Sequence, residues 1–385
     1  MLAGVHFLID LFASMLPAIL PAIKDEFSLS LSQGGYVLVA LLLTCNALQP
    51  LVGHMRARKR KPLFLHLGLV VAASICLLNA LPRADNAYPI MIMLAIFSGL
   101  GIAVVHPEGL RAVHCLGRIQ PAVSTAVFMA GGFLGYASGG AVSSFLVSSY
   151  GLRGLYPLIL CPVVSIVLIV LMKIRLAVER KSQNKKRNQT ENHHLHFWLI
   201  MTMALPAAVS TTILTSLLPT MLNELGFKLT FGGFSTTMFG LGGAVGSFVW
   251  AYIAGKKGEL KCSIVALFLV IPFLVAYLVL IENKMAMCLL FGAGFCSMSA
   301  YILMITLSRH AVGLSLGQRM GFMVGGTWAF AYIVFSVLLP VAEHFGTNVL
   351  LSFIPLGYLF SALIGLYIIF KEKKRASVQQ QALDA

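Results

Sequence analysis

Apolar residues run through this chain in long, unbroken stretches separated by short polar connectors. Twelve such runs fall near residues 2–23, 33–53, 63–82, 88–107, 121–147, 155–176, 197–221, 234–254, 262–282, 285–307, 320–341 and 347–370. A helix needs about 20 apolar residues to cross roughly 30 Å of hydrocarbon, so each run is long enough to span a bilayer. The runs are continuous and do not alternate, which excludes the strands of a closed β-barrel. The pattern predicts an all-α polytopic membrane protein of twelve transmembrane helices.

The runs fall into two sets of six. Leu16-Pro17-Ala18-Ile19-Leu20 recurs as Leu218-Pro219-Thr220-Met221-Leu222, Phe27-Ser28-Leu29 as Phe227-Lys228-Leu229, and Gly34-Gly35 as Gly232-Gly233. Paired six-helix halves are a transporter signature, in which one half rocks against the other around a central site. The predicted organisation is a six-helix bundle over 1–176, a basic linker over 177–196, a second six-helix bundle over 197–370 and a polar tail over 371–385.

Composition narrows the class. Charged residues are only 11% of the chain and hydrophobic ones 58%, too little charge to coat a water-exposed surface of this size. The net charge of +15 raises nucleic acid as a partner, but the basic residues sit in short connectors flanking apolar runs, where they act as topology signals. With the N-terminus cytoplasmic, 23 of the 28 Lys and Arg residues lie inside, leaving Lys24, Arg83, Arg153, Lys228 and Lys284 outside. Both termini are therefore expected in the cytoplasm. The N-terminus has no basic region or cleavage site ahead of Lys24 and reads as a retained first helix. The seven cysteines are odd in number, scattered, and without metal or redox spacing, so they read as small apolar residues. In the linker, Asn188-Gln189-Thr190 fits a glycosylation sequon and His193, His194 and His196 a metal tract, but a solvated cytoplasmic loop accounts for both. No nucleophile–base pair or phosphate loop stands out, so the chain is not read as an enzyme, and no metal or cofactor is expected.

Candidate chemistry comes from the thirteen acidic residues. Nearly all lie in connectors or tails, but Asp10 sits inside the first run and Glu108 at the inner end of the fourth. A carboxylate at membrane depth costs a few kcal/mol or more, and proton binding relieves that cost, as a proton-coupled carrier requires. His6 precedes Asp10 by four residues and shares its helix face. His106-Pro107-Glu108 is followed by Arg111, three residues past the glutamate. These five residues are the proton-coupling candidates; the alternative for Glu108 and Arg111 is a helix-end ion pair that holds the inner mouth together. Gly131, Gly132, Gly135, Gly139 and Gly140 in the fifth run, with Gly240, Gly242, Gly243 and Gly246 in the eighth, form small-residue rows suited to a sliding interface or to ordinary close packing. Pro17, Pro21 and Pro206 are candidate kinks. In the seventh run Ser210, Thr211, Thr212, Thr215 and Ser216 form a polar stripe that faces substrate or bonds back to its own helix; Thr211, Thr212 and Thr215 are the substrate-cavity candidates.

Several of these residues carry a family resemblance. His6-x-x-x-Asp10, Glu26-Phe27-Ser28-Leu29 through Gln33-x-Gly35, Leu48-Gln49-Pro50-Leu51-Val52-Gly53, His106-Pro107-Glu108-x-x-Arg111 and Gly131-Gly132-x-x-Gly135 resemble the major facilitator superfamily, in particular its fosmidomycin-resistance branch of bacterial efflux proteins. The resemblance implies a multi-pass protein of the bacterial inner (plasma) membrane, a monomer with a central cavity lined by spans 1, 4, 7 and 10. It further implies proton-driven export of a small-molecule substrate, the proton gradient serving as energy source. Two departures stand out. The acid that the superfamily places between spans 2 and 3 is Ala57 here, and its counterpart in the second half is Gly255; the fifth span has Gly140 where antiporters place proline. An importer or uniporter, and a non-transporting sensor or assembly factor on the same fold, remain as alternatives.

Overall fold

The computed structural model describes residues 1–56, 59–83, 86–116, 121–177 and 195–384. Among the described residues, twelve helices are long and apolar enough to cross a membrane: α1 (Leu2–Phe27), α2 (Leu31–Met55), α3 (Leu63–Ala80), α4 (Ala87–Val113), α5 (Ser124–Tyr150), α6 (Leu152–Leu171), α7 (Phe197–Glu224), α8 (Leu229–Lys257), α9 (Glu259–Val279), α10 (Lys284–Arg309), α11 (Gly317–Phe345) and α12 (Thr347–Glu372). No strand occurs among the described residues. Every predicted run is thus a helix, and the differences lie at the ends. The fourth run was expected to stop near 107, but α4 continues to Val113, so His106, Pro107, Glu108 and Arg111 all lie within the helix. Residues 371–384, expected as a tail, prolong the last helix to Asp384; Lys, Gln and Ala there are strong helix formers. Most of the linker, 178–194, and Ala57, Arg58 and Arg118 fall outside the described residues.

Prolines do not break the inner spans. α1 passes through Pro17 and Pro21, and α7 through Pro206 and Pro219, as continuous helices. Next to Pro206, the Ala207 N–H finds the Ser361 hydroxyl of α12 at 2.9 Å, a side-chain repair of the ladder where proline disturbs it. Irregular turns occur elsewhere: α3 ends in a 3-10 segment, Ala73–Ala80, α6 begins with another, Leu152–Ile159, and α11 contains a π segment at Phe322–Gly326.

α1 and α7 are the most enclosed spans and α6 the least. Large apolar side chains on the outer surfaces, such as Leu160, Val163, Val164 and Leu171 of α6, face where lipid would be. Leu11–Pro21 of α1 and Ser210–Leu222 of α7 are buried at every position. These stretches approach the end of the molecule opposite the chain termini, so the two halves are closed against each other there.

The repeated glycine pair makes that closure. Gly34 packs on Leu20 of α1, and Gly232 on Pro219 of α7, each within its own half. Their neighbours face across: a Cβ on Gly35 would meet Leu339 of α11, and one on Gly233 would overlap Ser144 and the Gly140 carbonyl of α5. The first glycine of each pair seats a helix on its predecessor; the second lets α2 meet α11 and α5 meet α8. A charged contact adds to it. The Glu343 carboxylate of α11 accepts the Ser32 N–H at 2.9 Å and the Ser30 hydroxyl at 3.2 Å, capping the first turn of α2 from the other half.

Candidate functional site

α1, α4 and α5 bring three of the predicted proton-coupling residues together. Asp10 lies between two imidazoles: His106 Nε2 is 2.9 Å from Oδ1, and His6 Nε2 is 3.3 Å from Oδ2. His6 and Asp10 meet through their four-residue spacing on α1. His106 arrives from α4, ninety-six residues away in sequence. The His6 ring is nearly buried, while Asp10 and His106 keep about one-fifth of their surface.

The other nitrogen of each ring decides what the cluster can hold. His6 Nδ1 lies 2.8 Å from the Phe128 carbonyl of α5, and His106 Nδ1 lies 3.0 Å from the Ile102 carbonyl one turn back on α4. A carbonyl only accepts, so in both rings Nδ1 carries the hydrogen and donates. A neutral ring then turns a bare Nε2 lone pair toward the Asp10 carboxylate. Two lone pairs facing a carboxylate at these distances repel; one or two added protons convert the contacts into charge-assisted hydrogen bonds. The cluster is therefore built around exchangeable positive charge. The three donor atoms lie within 4.8 Å of one another, so a metal ion is the other cation such a set could gather.

Phe128 and Gly132 of α5 complete the site. The Phe128 ring stacks on His6 at 4.1 Å between centroids, so the residue that fixes the tautomer also clamps the ring. A Cβ on Gly132 would sit 2.5 Å from Asp10 Oδ2 and 2.6 Å from His6 Nε2. Glycine is needed there because the carboxylate and imidazole occupy the space. A side chain on Gly131, Gly135 or Gly139 would overlap α1 backbone carbonyls of Ala3, Phe7 and Leu11. The expected sliding row thus divides: these four glycines pack α5 onto α1 inside one half, and Gly140 alone of the five meets the other half, at Gly233 and Thr236 of α8.

Glu108 and Arg111 take a different place. Glu108 is fully buried and its Oε2 accepts the Leu65 N–H at 2.9 Å, in the first turn of α3. Arg111 donates to the Ala177 and Lys59 carbonyls at 2.6–2.9 Å, tying the exit of α6 to the α2–α3 connector. Both contacts join helix ends and connectors of the first half at the end of the molecule that carries the termini. Glu108→Gln, whose amide oxygen can still accept from Leu65, is expected to retain gradient-driven transport, whereas Glu108→Ala loses about 1 kcal/mol with the cap. Thermal melting and vesicle flux check the pair; loss of coupled flux in Glu108→Gln would return Glu108 to the proton path.

The polar stripe on α7 also divides. Thr211 turns into the second half, where its hydroxyl lies 2.7 Å from Tyr358 of α12 and 3.3 Å from Ser297 of α10. Thr215 faces the centre and lines a cavity of about 10 Å³ with Ser14, Tyr136, Thr236 and Tyr332, room for roughly one water. This cavity draws on α1, α2, α5, α7, α8 and α11, not on the expected spans 4 and 10, because α5 and α11 bring tyrosines into the middle of the closed arrangement. Sequence reading missed Tyr136 and Tyr332; an isolated aromatic in an apolar run carries no periodic signal. Thr212 and Thr220, eight residues apart on one face of α7, are buried with no hydrogen-bond partner among the described residues, and Ser216 between them lies against the Tyr332 hydroxyl. A Cβ on Gly255, at the expected latch position, would meet nothing within 4 Å.

The family model for the Major Facilitator Superfamily matches residues 2–327. Among curated proteins, the chain is 27% identical over 164 residues to the fosmidomycin resistance protein of Escherichia coli (strain K12), covering 43% of this chain and 40% of that one. It is 27% identical over 149 residues to an uncharacterised MFS-type transporter, YfnC, of Bacillus subtilis (strain 168), covering 39% and 36%. The matched region thus spans well under half the length of these relatives. Among solved structures, a point mutant of the nucleoside transporter NupG superposes with a TM-score of 0.73 at 13% identity over 96% of this chain and 98% of that one. A bacterial homologue of the human lysosomal transporter Spinster, inward-facing and occupied, gives 0.69 at 14% identity over 97% and 95%. At these identities the structural likeness is one of fold.

Proposed function

The chain belongs to the major facilitator superfamily, and from that premise we propose that it is a secondary transporter exporting a small organic molecule across the inner membrane by alternating access, driven by protons. The His6–Asp10–His106 cluster carries this reading. Both rings commit Nδ1 to a backbone carbonyl, so added protons turn the Nε2 contacts with Asp10 into charge-assisted hydrogen bonds. In the exporting cycle, protons reach the cluster while the outer side is open and leave it toward the cytoplasm once that side has closed. His6, Asp10 and His106 bind and release the protons; Glu108 and Arg111 hold the inner helix ends. Thr215, Tyr136 and Tyr332 offer hydroxyls to substrate in the centre. The direction of transport rests on the name of the fosmidomycin-resistance relative. Both termini on the cytoplasmic side follow from the distribution of basic residues.

The test uses everted vesicles, whose lumen stands for the outside. With an acidic lumen, an exporter accumulates substrate; fosmidomycin is the first probe, followed by a panel of small organic anions. Accumulation that instead requires an alkaline lumen would identify an importer. No gradient-dependent flux of any probe, from folded protein, would count against coupling.

Alternating access makes a second prediction at the outer tie. Removing the Glu343 carboxylate is expected to shift the equilibrium toward outward-open by about fivefold, the equivalent of one exposed capping contact of about 1 kcal/mol. In a cysteine-free background, Thr220→Cys is buried and should react slowly with an impermeant thiol reagent added outside. Glu343→Ala should raise that rate about fivefold. An unchanged rate would show that Glu343 does not hold the outer side closed.

A further inference from the structure

At the end of the molecule opposite the termini, a groove of about 700 Å³ opens on the surface where α5 meets α8. Its walls come from both halves: Phe145 from α5, and Phe227, Phe231 and Phe234 from the α7–α8 connector and α8. Two of these rings, Phe227 and Phe231, stack at 4.6 Å, and Phe145 and Phe234 remain about half-exposed to the surroundings of the helix bundle. Lys228 and Lys284 also line it. Lys228 directly precedes α8 and Lys284 opens α10, which places both ammonium groups at the membrane boundary. Neither makes an ion pair among the described residues. Only five basic residues are expected on this face, and Arg83, another of them, is already engaged by Glu26 at 2.7 Å.

We propose that this groove binds an anionic phospholipid of the adjoining leaflet, its phosphate between Lys228 and Lys284 and its upper acyl chains on the phenylalanine walls. Charge complementarity selects the headgroup: two unpaired cations, with no acidic residue in the lining. The walls select a lipid over a free anion, because four aromatic rings offer apolar surface and no donors. Lysines at a helix boundary commonly reach such headgroups. The groove also depends on the closed arrangement. Phe145 sits one turn beyond the Gly140–Gly233 contact that joins the halves, so opening that side would draw Phe145 away from Phe231 and Phe234. A bound lipid would therefore favour the closed outer side. Such binding needs only the membrane placement of the fold, not a direction of transport or proton coupling.

Native mass spectrometry of the full chain, released from detergent with equal phosphatidylglycerol and phosphatidylcholine, tests it. Wild-type protein should retain phosphatidylglycerol preferentially, each lysine contributing about fivefold. Lys228→Gln with Lys284→Gln should lose the preference, the Lys→Arg pair should keep it, and Lys256→Gln with Lys257→Gln at the opposite face should not change it. Equal retention of the two lipids by wild type, or an undiminished preference in the Lys→Gln pair, would overturn the proposal. So would competition by millimolar inorganic phosphate without lipid retention, which would make the occupant a free anion.

Discussion

Asp10→Asn is expected to abolish gradient-driven transport, leaving flux at the level of empty vesicles while the protein stays folded in the membrane. Asparagine has nearly the shape of aspartate and can donate to one bare Nε2, so packing among α1, α4 and α5 survives. What it cannot do is take up and release a proton between His106 and His6, whose Nδ1 hydrogens are already committed to Ile102 and Phe128. Reconstituted protein assayed with and without a pH gradient separates the two effects: coupled accumulation should vanish, and the melting temperature should change little. Unchanged coupled flux in Asp10→Asn would remove the cluster from the mechanism. Substituting His106, which makes the shorter contact at 2.9 Å, should impair coupling more than substituting His6 at 3.3 Å.

Gly132→Val should be nearly as damaging, for a steric reason. Its first carbon alone would stand 2.5–2.6 Å from Asp10 and His6, and two methyl groups make the overlap worse. The helix cannot back away, because Gly131 and Gly135 on either side bring α5 directly against the α1 backbone. Overpacking of this kind costs about 1–3 kcal/mol, and relief requires moving the carboxylate or the imidazole out of register. Coupled transport should fall to background, with a measurable loss of thermal stability. Gly4→Ala on the facing helix is the control: a Cβ there would meet nothing within 4 Å, so both properties should stay at wild-type values. Normal coupling in Gly132→Val would mean that the trio does not need its observed geometry.

How legible these sites were in the sequence depended on what kind of spacing made them. His6 and Asp10 lie four apart on one helix, so their contact could be read directly. His106 could be flagged as titratable company for Glu108, but its meeting with Asp10 joins α1 to α4, and no local pattern encodes that pairing. Glu108 shows the reverse case. A buried carboxylate signals a job, yet the same energetic argument fits a proton carrier and a helix cap, and the contact with the Leu65 N–H joins α4 to α3, which no local pattern encodes. Thr211 and Thr215 are likewise identical in type and share a stripe. The four-residue step rotates them enough that one bonds to Tyr358 and the other lines the central cavity.

The chain by itself determined the twelve spans, their division into matching halves and the presence of costly acid in the first of them. Those properties follow from transfer energies and helix geometry, which act locally along the sequence. The repeated Gly34-Gly35 and Gly232-Gly233 pairs were visible too, but not their division of labour, one glycine packing within its half and the next across to the other. That assignment, the Glu343 tie to α2, the lone-pair geometry around Asp10 and the surroundings of the α7 hydroxyls were decided by tertiary structure. Each depends on where a helix far away in sequence comes to rest, and close packing, not periodicity, fixes that.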